Sequence, residues 1–367
     1  MTNVIISTSR YIQGKGELEK IYNHVSALGD KVFILVDAFL VETLGGTIRK
    51  SFEENGSPCT IEKFNGECSK VEINRLLEVA KDYDVIIGVG GGKTLDTSKA
   101  VAFYKKCPVV IVPTAASTDA PCSALSVVYT EDGVFEEYLF LPKNPDMVIV
   151  DSQVIANAPV RLFIAGIGDA LATYFEARAT LNSNGNTIVG AKPTKAGIAL
   201  AKLCYETIIE DGLKATLAVE NHTVTKAVDN VIEANTYLSG VGFESGGLAA
   251  AHAIHNGMTA MPETHHMYHG EKVAFGTITQ LVLENIGSDE LNRVIEFCVS
   301  VGLPITLGEL GVKELNVKQL QQVAEIACAE SDTMGNMPFD VKPDDVVAAM
   351  IAADALGRHY HKKCACK

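Results

Sequence analysis

Between Lys31 and Val112 the sequence alternates short β-branched runs with stretches of helical spacing, and this alternation limits the fold more than any other feature. Lys31-Val-Phe-Ile-Leu-Val-Asp37 is apolar without a break and ends in an acid, the pattern of a strand buried on both faces. A helical stretch from Val41 to Asn55 follows, then a short strand from Cys59 to Phe64. Ser69 to Tyr83 is helical again, with Ile73, Leu76, Leu77 and Ala80 on one face. Asp84-Val-Ile-Ile-Gly88 is the next strand. A glycine cluster then hands over to a helix from Thr94 to Tyr104, and Pro108-Val-Val-Ile-Val112 closes the series. Strands joined through helices run parallel, so the expectation is an α/β N-terminal domain with a Rossmann-like open parallel sheet and helices on both faces. Ser123 to Thr130 and Val134 to Leu141 read as a hairpin around Asp132-Gly133.

After Val150 the strand signals fade and helical periodicity takes over. Helices are expected over Arg161 to Leu181, Lys195 to Glu210, Val224 to Phe243, Leu248 to Met258, Glu271 to Asn285, Ser288 to Val301, Val317 to Ala329 and Pro343 to Tyr360. A chain of 367 residues exceeds one ordinary core. The expected division is an α/β domain over 1–160 and an all-α domain over 161–367. The net charge of −14, with Lys and Arg scattered, argues against nucleic acid and acidic membranes as partners. MTNVIISTSR is no signal peptide, and no apolar run is long enough to span a bilayer. The nine Cys form no regular framework, which points to reduced thiols and a cytoplasmic protein. The tail HYHKKCACK, with His359, His361, Cys364 and Cys366, has the residues of a metal site but is read as a solvated, frayed terminus. Apolar helical faces in the second half point to a homo-oligomer.

Ile86-Ile-Gly-Val-Gly-Gly-Gly-Lys-Thr94 lies where a strand meets a helix. Glycines there let the backbone approach a phosphate, and the first amides of the helix can donate to it. A Walker A loop needs a Gly five residues before Gly92, and Ile87 holds that slot. A tight turn with no ligand is the plainer reading. Asp37 bears on the choice: an acid at a strand's end can bind ribose hydroxyls and would repel the extra phosphate of NADP, although it can also simply terminate the strand. Together the two features favour NAD.

Asp169 in Gly166-Ile-Gly-Asp169-Ala-Leu-Ala-Thr173 is placed at or near a helix start, where an acid can cap the helix or complement its dipole. Two later stretches add another reading. Gly246-Gly-Leu-Ala-Ala-Ala-His252-Ala-Ile-His255-Asn-Gly257 is a small-residue helix with two His one turn apart, and His265-His-Met-Tyr-His269-Gly-Glu271 follows. Five of the nine His fall in this window, beside small residues that leave room for a ligand. One Asp and two His would give zinc three protein ligands and an open position, the pattern of a catalytic site. No Lys or Arg occurs between Lys106 and Lys143 or between Lys226 and Lys272, so neutral hydroxylated substrates suit these segments better than phosphorylated ones.

Gly88-Val-Gly-Gly-Gly-Lys-Thr-Leu-Asp96, Pro113-Thr-Ala-Ala-Ser-Thr-Asp119-Ala-Pro-Cys-Ser123, Gly242-Phe-Glu-Ser-Gly-Gly-Leu-Ala-Ala-Ala-His252 and the run from His265 to Gly276 carry a resemblance. Over essentially the whole chain the sequence resembles the metal-dependent, iron-type alcohol dehydrogenase superfamily, in its zinc-using glycerol dehydrogenase branch. The resemblance implies a dehydroquinate synthase-like architecture and NAD-dependent, zinc-assisted oxidation of glycerol, or a related vicinal diol, to the ketone. It implies metal ligands Asp169, His252 and His269, with Thr173 where iron-binding relatives carry a further His. NAD contacts would fall at Asp37, Gly92, Lys93, Thr114, Ser117, Ser123, Leu125 and Tyr129, while Asp119 would hold substrate beside His252. His255, His265 and His266 are second choices as ligands. A dehydroquinate-synthase-like lyase and a glycerol 1-phosphate dehydrogenase share the architecture, but both need cations for an anionic substrate. A P-loop sensor would leave the His cluster unexplained.

Overall fold

The computed structural model describes residues 2–365. Six strands, β1 (Tyr11–Gly14), β2 (Val32–Val36), β3 (Cys59–Lys63), β4 (Val85–Gly90), β5 (Val109–Pro113) and β8 (Met147–Asp151), form one sheet in the order β1-β8-β5-β4-β2-β3. All five pairings are parallel, with Val32 opposite Val85 and Ile86 opposite Val109. Helices α1 (Ile21–Val25), α2 (Val41–Glu53), α3 (Lys70–Val79) and α4 (Gly92–Lys105) connect the strands. The uninterrupted apolar runs are explained by the two faces. Val32, Ile34 and Val36 share a cluster with Ile21, Ile48 and Phe52, whereas Phe33 and Leu35 pack with Ile73, Leu76 and Leu95. Every residue of β2 therefore meets a helix. Strands β6 (Leu125–Tyr129) and β7 (Phe135–Phe140) form a separate antiparallel ribbon, with Gly133 taking the left-handed φ of 76° in its turn.

Two strands of the sheet have no counterpart in the sequence reading. β1 is a half-buried edge strand of mixed polarity, Tyr-Ile-Gln-Gly. β8 is fully buried but only five residues long and runs directly into a helix, so nothing local separates it from a helical segment.

The chain connects β2 through α2 to β3 on one side and β4 through α4 to β5 on the other. The carboxyl ends of β2 and β4 therefore flank a crevice where the winding reverses, the place where α/β sheets receive ligands. Asp37 and the glycine turn lie at those two ends.

Beyond Asp151 the described elements are helical: α5 (Ser152–Asn157), α6 (Val160–Asn182), α7 (Lys195–Glu220), α8 (Lys226–Glu233), α9 (Ser239–Gly246), α10 (Ala250–Met258), α11 (His269–Leu283), α12 (Ser288–Val301), α13 (Val317–Ala327) and α14 (Pro343–Ala365). α6 packs against α7, α9 and α11, and α10 lies between α11 and α13. One buried cluster runs from Phe33 and Leu35 of the sheet through Phe163 and Ile167 to Val346 and Met350, so the helices share a core with one sheet face. The single helix expected over Val224 to Phe243 is a continuous helical run with a π-turn at Ala234–Leu238 between α8 and α9. The C-terminal helix continues to Ala365, and His361 Nε2 lies 2.9 Å from Glu309. The side chains of Cys364 and Cys366, half of the tail motif, lie outside the described residues.

Candidate active site

The glycine turn is held from the neighbouring strand. Asp37 accepts a hydrogen bond from Gly91 N at 2.7 Å through one carboxylate oxygen and from the Thr94 hydroxyl through the other. A Cβ on Gly90 would lie 2.4 Å from Asp37 Oδ2, which explains the glycine at the point of closest approach. Gly92 is exposed as the first residue of α4, and Lys93 beside it donates to Glu67 at 2.5 Å and sits 5.4 Å from the centre of the Tyr129 ring. Thr114 is buried at the end of β5, where its amide donates to Gly90 O at 3.1 Å. Ser117 is half-buried a few residues along the same loop.

Ser123 and Leu125 occupy a different setting. The Ser123 hydroxyl is buried, donates to Ala120 O at 3.0 Å and receives the Lys99 ammonium at 3.2 Å. Lys99 also donates to Ala120 O at 2.6 Å and to Leu125 O at 3.0 Å, and lies 3.3 Å from Asp96. A buried lysine on α4 thereby fixes the shape of the segment from Ala120 to Leu125. Lys99 escapes sequence reasoning because it looks like one more polar residue on a helix.

The loop leaving β5 leads from the glycine turn to the second cluster. Asp119 lies five residues after Thr114, at most about 18 Å away along a fully extended chain. Its amide lies 3.3 Å from Asp169 Oδ2 as donor, and its own Oδ2 accepts from Ser239 at 2.8 Å. Ser239 in turn shares a hydrogen bond with the buried Thr173 at 2.8 Å. Burial, and after it the neighbouring Asp169, pushes the Asp119 carboxyl above the usual carboxylate range.

Asp169 lies well inside α6, not at its start, so the capping role considered from sequence does not apply. Its Oδ1 faces His269 Nε2 at 3.0 Å and His252 Nε2 at 3.4 Å, and the two imidazole nitrogens are 3.4 Å apart. The three form the metal-competent group found among the described residues. Asp169 Oδ1 is buried and has no hydrogen-bond partner, a costly state for an oxygen unless a cation satisfies it. A triangle with these edges holds a point roughly 2 Å from each corner, the length of a zinc bond to nitrogen or oxygen. The donor set, the orphaned oxygen and the spacing all fit a divalent metal. Burial opposes ionisation of Asp169, yet the two imidazoles hold its carboxyl well below the usual range.

Two helices approach closely to make this possible. A Cβ on Gly270 would fall 1.8 Å from Ala165 O, and one on Gly168 would fall 2.3 Å from Gly270 O. These glycines each adjoin a candidate ligand, Gly168 beside Asp169 and Gly270 beside His269, so the contact that needs them is the one that brings the two side chains together. Arg161, at the start of α6, adds a bidentate grip on Glu271 at 2.6 and 2.8 Å. His255 lies outside the set, its ring centre 4.1 Å from that of His269 and its Nδ1 3.1 Å from Asn256. His265 is exposed with Nε2 2.9 Å from Thr259 O, and the His266 ring packs toward Gly311.

Similar proteins are known. Residues 8–152 match the family model of iron-containing alcohol dehydrogenases. A glycerol dehydrogenase of Escherichia coli O6:H1 is 53% identical over 362 residues, covering 98% of this chain and 99% of its own. A glycolaldehyde reductase of Halobacterium salinarum is 49% identical, covering 99% of this chain and all of its own. The crystal structure of glycerol dehydrogenase from Schizosaccharomyces pombe superposes with a TM-score of 0.94 at 38% identity, covering 99% of this chain and 93% of that one.

Proposed function

The chain belongs to the iron-containing alcohol dehydrogenase family, and on that premise we propose that it oxidises glycerol to dihydroxyacetone with NAD as hydride acceptor and zinc as the resident metal. The observation that carries the reading is the convergence of Asp169 Oδ1, His252 Nε2 and His269 Nε2 around an oxygen with no other partner. These three would hold the metal. A metal held there would supply Lewis acidity toward a substrate hydroxyl, whose proton would leave to solvent, and a bound nicotinamide would supply the acceptor for the carbinol hydride.

The chain's own side chains do the rest. Ser239 holds one oxygen of Asp119, leaving Oδ1 to accept from a second substrate hydroxyl, which favours vicinal diols over simple alcohols. Asp37 and the turn from Gly90 to Lys93 stand at the crevice where a dinucleotide's ribose and pyrophosphate are recognised, and Lys93 carries a charge suited to the latter. Thr114, Ser117, Ser123, Leu125 and Tyr129 belong to this cofactor side, Ser123 and Leu125 by shaping the wall around Lys99. The parts fall to residues 1–160 for the cofactor and 161–367 for metal and substrate, with Asp119 of the first part reaching Ser239 on the substrate side. The described helices include none long and apolar enough to cross a membrane. Seven unpaired cysteines among the described residues support a reducing, cytoplasmic setting. Self-association belongs to the same reading, supported by apolar side chains left exposed on α7, among them Leu203, Leu213 and Leu217; a solution mass equal to one 39.2 kDa chain would remove it.

Zinc-loaded protein mixed with NAD and glycerol at alkaline pH is expected to raise NADH absorbance, and a flat trace would refute the reading. His252→Ala is expected to lose the rate and most of the bound zinc while still enhancing NADH fluorescence. Zinc and rate retained in that variant would move the metal away from this triad. A panel of 1,2-propanediol, other vicinal diols and, in the reductive direction, glycolaldehyde ranks the substrates.

A further inference from the structure

Seven residues after Asp169, roughly two helical turns along α6, the Glu176 side chain points the same way and has no exposed surface. Its Oε1 accepts from Ala249 N at 2.9 Å and His252 N at 2.9 Å, and its Oε2 lies 2.6 Å from His252 Nδ1. On the far side of that ring, Nε2 faces Asp169 Oδ1 at 3.4 Å. Two carboxylates of one helix thus face the two nitrogens of one imidazole, Glu176 within hydrogen-bond distance and Asp169 farther off. No Lys or Arg pairs with Glu176 among the described residues, so backbone amides and His252 carry its charge.

We propose that Glu176 is a positioning residue for the metal centre, fixing His252 with its proton on Nδ1 and its Nε2 lone pair toward Asp169 and His269. The inference rests on the metal reading given above. An ionised carboxylate only accepts hydrogen bonds, so a ring 2.6 Å away must donate from Nδ1, and a neutral imidazole then has its bare nitrogen at Nε2. The same oxygen pair locates the helix that carries the ligand. α10 has Ala249 at its N-cap, which supplies no side-chain cap, and its first amides are met from outside, His252 N by Glu176 and Ala251 N by Gln280 at 3.0 Å. Negative charge at that terminus is favourable. Glu176 therefore sets both where His252 stands and which nitrogen it presents.

Glu176→Gln keeps the shape and can still accept from the two amides, but its NH₂ group faces Nδ1 and would drive the ring proton to Nε2. The test is zinc affinity of the full-length chain, measured by competition with a chromogenic chelator. Glu176→Gln is expected to bind zinc about 10–100-fold more weakly than wild type. Affinity within about twofold of wild type overturns the inference. Gln280→Ala is the control for mere capping: it removes another acceptor from the same helix terminus, and its zinc affinity is expected to stay near wild type. An equal loss in that variant would show Glu176 to be only a cap. Should Glu176→Gln fail to fold, ¹⁵N-histidine spectra of zinc-loaded wild type decide instead, a metal-shifted His252 Nε2 with the proton on Nδ1 supporting the inference and a metal-shifted Nδ1 overturning it. Wild type that takes up no zinc at all sinks the metal reading and this inference with it.

Discussion

Both oxygens of the Asp37 carboxylate brace the glycine turn, and on the proposed NAD reading its charge also faces the adenosine ribose. Asp37→Ser is therefore expected to weaken NAD binding while relaxing discrimination against NADP by roughly tenfold, equivalent to about 1.4 kcal/mol. The ratio of kcat/KM for the two dinucleotides measures it; an unchanged ratio would leave Asp37 as a brace for the turn and nothing more. Ser239 supplies a cleaner case on the substrate side. It donates to Asp119 at 2.8 Å, and a hydrogen bond of this kind contributes about 0.5–1.5 kcal/mol. Ser239→Ala should lower kcat/KM for glycerol by about two- to tenfold and leave KM for NAD unmoved. A rise in KM for NAD alone would place Asp119 in cofactor binding instead.

At the level of elements, the contact between α6 and α11 sets the proposed metal ligands Asp169 and His269 side by side. Gly270 permits it, because a methyl group there would overlap the Ala165 carbonyl. Gly270→Ala must push the start of α11 away, and overpacking of this kind costs about 1–3 kcal/mol. The variant should melt at lower temperature and lose zinc affinity disproportionately, since His269 is the neighbouring residue. Normal zinc uptake in a destabilised Gly270→Ala protein would mean that the ligands do not depend on this contact. What sequence reveals follows the same logic. Asp169 and a window of five His could be named from the residues because imidazoles beside small residues are rare enough to draw notice, the choice of His252 and His269 among them comes from the family resemblance, and the parallel sheet could be named because its apolar runs are unbroken. Glu176, Ser239 and Glu244 could not, because each acts on a residue roughly 70 to 120 positions away, where no local pattern records the pairing. β1 escaped for the opposite reason, since an edge strand needs only one buried face and leaves a faint pattern. The order of the six strands is likewise a property of the crossovers, which short apolar runs do not encode.

Across the whole molecule, the sheet and the helices share one buried cluster, and buried acids add polar contacts between the two parts, Glu244 among them. Glu244 on α9 accepts from Ala124 N at 2.7 Å and from Asn144 at 2.6 Å, both belonging to the segment between β5 and β8. Burial pushes its carboxyl up from 4.5 to about 7, the two hydrogen bonds only partly opposing the shift. The folded protein thus keeps a proton that the unfolded chain releases between these values. Stability from this group is fully present below pH 4.5, falls as pH rises toward 7 and is level above it. At about 1.4 kcal/mol per unit, the loss amounts to roughly 3 kcal/mol. Glu244→Gln cannot titrate, so the difference in unfolding free energy between wild type and variant should change by about that amount from pH 5 to pH 8, in the sense that wild type loses ground as pH rises. Urea unfolding at a series of pH values reads the difference directly. A difference that stays constant across the range would mean that Glu244 is ionised in the folded protein throughout, its charge carried by the Ala124 amide and Asn144 alone.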